Sequence, residues 1–292
     1  MIQGTLTAMI TPFKGDQVDY DRLTEHVERQ VAAGVDGLVP CGTTGESPTL
    51  SHDEHREVVE HVVKTAAGRV KVVAGTGSNA TTEALMLHRH AKDAGADAGL
   101  VVNPYYNKPT QEGMVRHFTT LADGVDLPIV LYNIPGRCGV ALTPATVARL
   151  ARHPNIVGIK EATGSMDVAS EIAALTIDDE LVIVSGDDSL TLPLMAVGGK
   201  GVISVLSNLL PGRVSQMVEA AVSGDFAAAG EEHRAMFPLF KAMFLETNPI
   251  PIKTAMALAG LDTGALRLPL CEMDPDHATQ LESVLEAGDA LG

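Results

Sequence analysis

Asn155-Ile156-Val157-Gly158-Ile159-Lys160-Glu161-Ala162 contains a short, almost continuous apolar run that ends on a lysine. Such a run is typical of a strand covered on both faces, as in a parallel sheet. An ammonium group at the end of a buried strand is costly unless it is paired or loses its proton. Lys160 is therefore either a lysine that extends to water at the strand end, or an amine that attacks a carbonyl and forms a Schiff base.

Outward from this segment, strands and helices alternate along the first two thirds of the chain. Strands are predicted over residues 4–10, 37–39, 69–74, 98–102, 128–132, 155–160, 181–185 and 201–205. Regular alternation of strand and helix indicates a parallel sheet. Eight such units fit an α/β fold of the closed (β/α)8 TIM-barrel type. An open, doubly wound sheet of eight strands is the alternative.

Helical spacing fills the segments between these strands and continues after the last one. A capping box, Ser51 with Glu54, begins one helix, and another is predicted over residues 189–197, with Asp187 and Asp188 at its N-terminus. Four more helices are predicted over residues 211–222, 225–244, 250–259 and 276–287. We therefore expect a catalytic barrel over residues 1–210 and a helical C-terminal extension, residues 211–292, packed on it.

The composition excludes several classes of function. With 21 basic and 37 acidic residues the net charge is −16, which argues against nucleic acid and anionic membrane surfaces as partners. The acidity also suggests work at high salt, where screening weakens self-repulsion. The three cysteines, Cys41, Cys138 and Cys271, are too dispersed to predict a disulfide framework or a zinc site. Neither a signal peptide nor a membrane span is recognisable, so a cytoplasmic location is predicted.

Polar groups follow the predicted strands at the end where a TIM barrel carries its active site. Thr43 and Thr44 lie in a glycine-flanked turn that offers N–H groups and hydroxyls to a carboxylate. Lys160 supplies an amine, Tyr132 can carry protons, and Arg137 can hold a second carboxylate. Each alone has a structural explanation: a plain turn, a core tyrosine, a surface arginine. Together they predict an aldolase that acts on a keto acid through an enamine.

Two other patterns are weaker. Residues 75–80 (GTGSNA) match the dinucleotide fingerprint, but the next strand ends without the acid that would bind the ribose. In residues 52–55 (HDEH) the histidines are three apart rather than four, and the acids suit a helix N-terminus. Neither a cofactor nor a metal is expected.

Four motifs then carry a resemblance to a known family. They are CGTTGES at 41–47, PYYN at 104–107, YNIPGR at 132–137 and GIKEATG at 158–164. They resemble the signatures of the dihydrodipicolinate synthase family, which belongs to the pyruvate-dependent class I aldolases together with N-acetylneuraminate lyase. Residues 248–253 (NPIPIK) and 266–269 (LRLP) also fit. The resemblance implies a TIM barrel, a homotetramer, and condensation of pyruvate with L-aspartate 4-semialdehyde, the first committed step towards diaminopimelate and lysine.

The resemblance also implies roles for individual residues. Lys160 matches the Schiff-base lysine, Tyr132 the catalytic tyrosine, Thr43 the relay hydroxyl, and Tyr106 the phenol that reaches into the neighbouring subunit's site. The matching substrate-binding residues are Thr44 for the pyruvate carboxylate, Arg137 for the semialdehyde carboxylate, and Gly186 and Ile203 through their backbones. Neuraminate lyases lack this arginine, so Arg137 favours the synthase.

A second, regulatory site is implied by members of the family that L-lysine inhibits. The matching residues are Ser47, His52, His55, Asn79, Glu83 and Tyr105. Pro48 stands where a small residue is common, which puts the local backbone in question. Cys138 replaces a usual threonine, and its thiol would be open to oxidation if it were exposed.

Two alternatives stay open. Lys160 and Tyr132 would serve equally in an aldolase that cleaves a 2-keto-3-deoxy sugar acid or N-acetylneuraminate. The second alternative is a non-catalytic barrel that senses a keto acid or an amino acid. It is disfavoured because the chain has all four residues of the implied catalytic set: Lys160, Tyr132, Thr43 and Tyr106.

Overall fold

Eight parallel strands form a closed barrel in the computed structural model, which describes residues 2–291. Met1 and Gly292, the outer limits of the two predicted regions, lie outside it. Each strand pairs with the next along the chain, and the last pairs with the first. The strands are β1 (Gly4–Ala8), β2 (Gly37–Val39), β3 (Lys71–Gly75), β4 (Ala98–Val102), β5 (Ile129–Asn133), β6 (Ile156–Glu161), β7 (Val182–Ser185) and β8 (Gly201–Ser204). The predicted TIM barrel is confirmed, and the open sheet is excluded.

Helices surround the barrel and continue beyond it. The longer helices between strands are α1 (Tyr20–Ala32), α2 (His52–Ala66), α3 (Thr81–Ala94), α4 (Gln111–Gly124), α5 (Pro144–Ala151), α6 (Met166–Leu175) and α7 (Thr191–Ala196), and a four-residue helical turn, Pro135–Cys138, follows β5. The C-terminal helices are α8 (Pro211–Val222), α9 (Phe226–Ala242), α10 (Ile250–Leu258) and α11 (Pro275–Ala287). The capping box predicted for α2 is present, with Ser51 and Glu54 each bonded to the other's backbone.

Alternation along the strands sorts side chains between the barrel interior and the surrounding helices. On β6, Ile159 packs outward in a core cluster with Ile172 of α6. The interior cluster includes Leu6, Tyr132 and Ile203. Because Ile159 faces the helices, its neighbour Lys160 faces the interior, beside the phenol ring of Tyr132.

The C-terminal helices extend the core rather than form a separate one. Phe240 of α9 and Leu285 of α11 belong to one buried cluster with Val202 of β8 and Val205 just beyond it. This packing places the start of α10 close to the turn that follows β2.

Two local features differ from the prediction. The helix predicted over residues 189–197 is a 3-10 turn, Asp188–Leu190, followed by the shorter α7. Asp187 does cap this turn, but the buried carboxylate of Asp188 instead accepts hydrogen bonds from the backbone N–H groups of Val205 and Leu206 (3.0 and 3.1 Å). A hairpin of two-residue strands, Phe13–Lys14 and Gln17–Val18, was not predicted, because it is too short to show a periodic pattern.

Candidate active site

Lys160 and Tyr132 lie side by side at the carboxyl ends of neighbouring strands. The parallel register of β5 and β6 pairs the two residues directly. The Lys160 Nζ atom lies 4.4 Å from the centre of the Tyr132 ring, and both side chains are buried. The phenol is therefore held against the amine that it would serve in proton transfer.

Among the residues that the structure describes, the amine of Lys160 has no carboxylate partner. It takes part in none of the ion pairs formed within residues 2–291. The adjacent Glu161 accepts hydrogen bonds from Asn133 Nδ2 (3.1 Å) and from the backbone N–H of Thr163 (2.6 Å). Burial raises the pKa of Glu161. A buried amine that no carboxylate engages is free to attack a carbonyl, as a Schiff-base nucleophile must.

Only glycine fits at position 186, after β7, because Ala162 and Lys160 lie so close to its backbone. A Cβ atom there would lie 2.6 Å from the Cβ of Ala162 and 3.0 Å from the Cε of Lys160. Ile203 of β8 is fully buried in the barrel interior. Gly186 is therefore close to Lys160, and Ile203 lies in the interior cluster that also contains Tyr132.

The turn after β2 has a strained backbone held by distant groups. Cys41 and Glu46 adopt left-handed conformations (φ of 55° and 53°), which are uncommon for residues with side chains. The Glu46 carboxylate is buried and accepts a hydrogen bond from Lys253 Nζ at 2.6 Å. Lys253 Nζ also donates to the carbonyl of Thr11 (2.8 Å) and lies 4.3 Å from the ring centre of Phe13. Burial lowers the pKa of Lys253 even though Glu46 opposes that effect.

Thr43 and Thr44 differ in their surroundings. Thr43 is half-buried and lines a cavity of about 460 Å³. Thr44 is buried, and its Oγ1 accepts a hydrogen bond from Asn248 Nδ2 at 2.9 Å. Arg137 is exposed at the cavity rim, and its Nη2 donates to the backbone carbonyl of Asn248 at 3.0 Å.

Tyr106 does not join these residues. Its side chain is 89% exposed and is not part of the cavity wall, and its backbone is left-handed (φ 72°). A phenol that projects from the surface cannot serve the site of its own chain in this arrangement.

Most residues of the implied regulatory site line the same cavity. They are Ser47, His52, His55, Glu83 and Tyr105. His52 Nε2 lies 2.8 Å from the Glu83 carboxylate, which also accepts a hydrogen bond from Ser78. The hydrogen bond from Ser78, and then that from His52, lower the pKa of Glu83. Burial lowers the pKa of His55 to about 4, so its imidazole is neutral at pH 7.

Asn79 stands apart from this group, because it does not line the cavity. Its carbonyl accepts a hydrogen bond from Asn107 at 2.8 Å, beside Tyr106. Cys138 lines the cavity but is 3% exposed, and burial raises the pKa of its thiol to about 11. Because the Cys138 thiol is buried, it is not open to the oxidation considered for an exposed thiol.

Sequence reasoning missed the contributions of Asn248 and Lys253. Both lie in the segment NPIPIK, which carried the family resemblance but suggested no role. Their partners are 204 and 207 residues away along the chain, a separation at which residue spacing carries no signal. Within residues 2–291 no cluster of three or more metal-ligating side chains occurs. The same range has no helix long and apolar enough to span a bilayer.

A family model, that of the dihydrodipicolinate synthetase family, matches residues 1–288. The chain belongs to this family. Its relatives include the 4-hydroxy-tetrahydrodipicolinate synthase of Geobacter sulfurreducens, which is 52% identical over 98% of both chains. The resemblance inferred from the motifs is confirmed, and so is the prediction that this is an enzyme of the lyase class.

Solved structures of dihydrodipicolinate synthases superpose closely on this chain. That from Acinetobacter baumannii, chloride-inhibited and complexed with pyruvate, is 41% identical over 99% of this chain and 100% of that one, with a TM-score of 0.96. That from Cyanidioschyzon merolae, with lysine bound, is 39% identical over 99% and 98% of the two chains, with a TM-score of 0.95.

Proposed function

We propose that this dihydrodipicolinate synthetase family member condenses pyruvate with L-aspartate 4-semialdehyde through a Schiff base on Lys160. The product, 4-hydroxy-tetrahydrodipicolinate, is that for which the full-length relatives are named. The reaction is the first committed step of diaminopimelate and lysine biosynthesis. The observation that carries the assignment to Lys160 is its buried amine, which has no carboxylate partner among residues 2–291 and lies against the Tyr132 ring.

The chemistry follows from the groups around that amine. Lys160 Nζ attacks C2 of pyruvate, and loss of water from the carbinolamine gives an imine. Removal of a proton from C3 then gives an enamine, whose C3 attacks the aldehyde carbon of the second substrate. The amino group of that substrate then adds to the imine carbon and displaces Lys160 Nζ, which closes the ring and releases the product. Tyr132 carries protons to and from these intermediates, and Thr43 links it to Tyr106 of a neighbouring subunit. The short distance between Lys160 and Tyr132 supports the role of Tyr132. It does not bear on Tyr106, whose side chain is exposed in its own chain.

Substrate binding is assigned to groups at the same rim. Thr44 binds the pyruvate carboxylate, and Gly186 and Ile203 line the site through their backbones. Arg137 holds the semialdehyde carboxylate in a bidentate pair. Its exposed position at the mouth of the cavity suits a substrate that arrives second. A sugar-acid aldolase would use the same lysine and tyrosine, so Arg137 is the residue that separates the two activities.

The test is reductive trapping with pyruvate and borohydride, read by mass spectrometry of the modified peptide. Wild-type protein should gain the adduct on Lys160, and Lys160→Ala should gain none. Lys64→Ala, at an exposed position of α2, is the matched control and should be trapped normally. Turnover of both substrates, coupled to the next reductase, then fixes the aldehyde partner. Trapping without turnover would move the assignment to a sugar-acid aldolase, and an adduct elsewhere would refute the role of Lys160.

Regulation by L-lysine is a further part of the proposal. Ser47, His52, His55, Glu83 and Tyr105 present hydroxyls, imidazoles and one carboxylate to the cavity, and Asn79 lies on an adjoining loop. A carboxylate that accepts from His52 and Ser78 is suited to bind an ammonium group as well. Titration with L-lysine should lower the rate, and Glu83→Gln should weaken that inhibition. An unchanged rate up to millimolar L-lysine would remove this assignment.

Assembly and organisation complete the proposal. A homotetramer built from dimers would let Tyr106 reach a second active site. Sedimentation measures the oligomeric state directly. We also propose that residues 211–292 form a helical region packed on the barrel of residues 1–210, to which they contribute Asn248 and Lys253. A cytoplasmic location stays a prediction.

A further inference from the structure

Asn248 lies at the point where the two carboxylate-binding groups meet. Its side-chain Nδ2 donates to Thr44 Oγ1 at 2.9 Å, and its backbone carbonyl accepts from Arg137 Nη2 at 3.0 Å. The residue is 4% exposed and forms part of the cavity wall. A single residue just before α10 thus contacts the group assigned to pyruvate and the group assigned to the semialdehyde.

The direction of the first hydrogen bond sets what Thr44 can offer to a substrate. A threonine hydroxyl has one proton to donate and can accept as well. Because Asn248 Nδ2 already donates to Thr44 Oγ1, the hydroxyl proton of Thr44 is free for another acceptor. An ionised carboxylate is a pure acceptor. The amide therefore presents the Thr44 hydroxyl as a donor, which is the polarity a pyruvate carboxylate needs.

The reverse amide orientation would have the opposite effect. Oδ1 of Asn248 would then accept the Thr44 proton and leave only lone pairs facing the substrate. In the structure Asn248 Nδ2 faces Thr44 Oγ1, and Asn248 Oδ1 has no hydrogen-bond partner among residues 2–291.

We propose that Asn248 is a positioning residue of the active site, which orients the Thr44 hydroxyl towards the pyruvate carboxylate and anchors Arg137 through its own carbonyl. The inference rests on the proposed function, since it names what controls the two binding groups of that site. It assigns to the C-terminal region a part in substrate recognition that its packing alone does not require.

The two contacts of Asn248 can be separated by mutation, because one uses the side chain and the other the backbone. Asn248→Ala removes the amide but keeps the carbonyl that binds Arg137. The KM for pyruvate should rise about tenfold, equivalent to about 1.4 kcal/mol, while the KM for the semialdehyde stays within about twofold, as expected when its hydrogen bond is kept. A purely structural role would change both constants together or lower kcat alone.

Asn248→Asp tests the direction of the hydrogen bond with a side chain of the same shape. An ionised carboxylate can only accept, so it would take the Thr44 proton and also repel pyruvate. Half-saturation of borohydride trapping by pyruvate, which needs no second substrate, should therefore shift at least as far as in Asn248→Ala. Asn208→Ala is the matched control, because within residues 2–291 this buried amide bonds only to backbone groups near β1 and β8 and should not separate the two KM values.

The outcomes are distinct. A rise in pyruvate KM alone, with a trapping defect in Asn248→Asp, supports the proposal. Wild-type pyruvate affinity in Asn248→Asp, or parallel changes in both KM values, overturns it. If Asn248→Ala fails to fold, the trapping curve of Asn248→Asp decides alone. Absence of trapping in the wild-type enzyme would instead refute the Schiff base on Lys160, so the two failures are distinguishable.

Discussion

The buried ion pair between Lys253 and Glu46 gives a sharp prediction for stability. Both side chains are fully buried, and their N–O distance is 2.6 Å. Lys253→Met keeps most of the side-chain volume but leaves the Glu46 carboxylate without its ammonium partner. We expect this substitution to destabilise the protein strongly and to loosen the turn that carries Thr43 and Thr44.

The size of the effect follows from burial. Removing one member of a buried pair costs about 3–5 kcal/mol, because an uncompensated charge remains inside. At roughly 2 °C per kcal/mol for a large domain, the melting temperature should fall by about 6–10 °C. A surface pair of similar geometry provides the contrast: Lys71 and Asp97 are 2.7 Å apart, with the Lys71 side chain 53% exposed. Lys71→Met should cost less than about 1 kcal/mol.

Calorimetry at one protein and salt concentration compares the variants. The double variant Lys253→Met/Glu46→Gln should recover part of the loss, because no unpaired charge is left in the interior. Equal losses for Lys253→Met and Lys71→Met would refute the reasoning from burial. A double variant less stable than Lys253→Met would refute the view that the stranded carboxylate causes the loss.

Three further predictions use other features. Tyr106→Phe should lower kcat by about tenfold or more yet change the free energy of unfolding by less than about 0.5 kcal/mol, since it removes only a hydroxyl group from a side chain that is 89% exposed in its own chain. Loss of the fold together with activity would contradict this. The hydrogen bond from Arg267 lowers the pKa of Glu54 from 4.5 to about 2, so the pair stabilises the fold above pH 4.5 and that stability is lost as the pH falls towards 2. Chemical unfolding should show the gap between wild type and Glu54→Gln closing over this range, and a constant gap would contradict the assignment. With a net charge of −16, the melting temperature should rise between about 0.1 and 1 M KCl, as the screening length falls from about 10 to 3 Å; equal values would count against adaptation to salt.

The barrel could be predicted because its signal is local. The apolar run before Lys160 and its counterparts each mark a buried strand, and regular alternation with helices fixes the sheet type. Residues at the carboxyl ends of the strands could then be assigned to one rim of the barrel without any measured interatomic distance, as the pairing of Tyr132 with Lys160 shows. The two-residue strands near Phe13 gave no such signal, because a periodic pattern needs more positions than they have.

The supports of the site could not be predicted because they join distant parts of the chain. Asp188 looks like a helix-capping residue from its neighbours, yet its carboxylate bonds to backbone groups 17 and 18 residues further on. Asn248 and Lys253 look like part of an ordinary helix start, and only the packing of α8–α11 on β8 brings them to the turn after β2. Sequence patterns gave the groups of the site, whereas tertiary packing decides which of them are held in place.

The hydrogen bonds between the C-terminal segment and the turn after β2 have a consequence for protein synthesis. Glu46 leaves the ribosome early, but it accepts from the backbone of Arg267, a residue 221 positions later. At roughly 5–20 residues per second, about 10–40 s separate the two. Lys160 and Tyr132 are complete well before then, while the threonine turn still lacks its anchors. A nascent or truncated chain would thus carry its nucleophile without a working substrate pocket, and catalytic competence would mark a finished polypeptide.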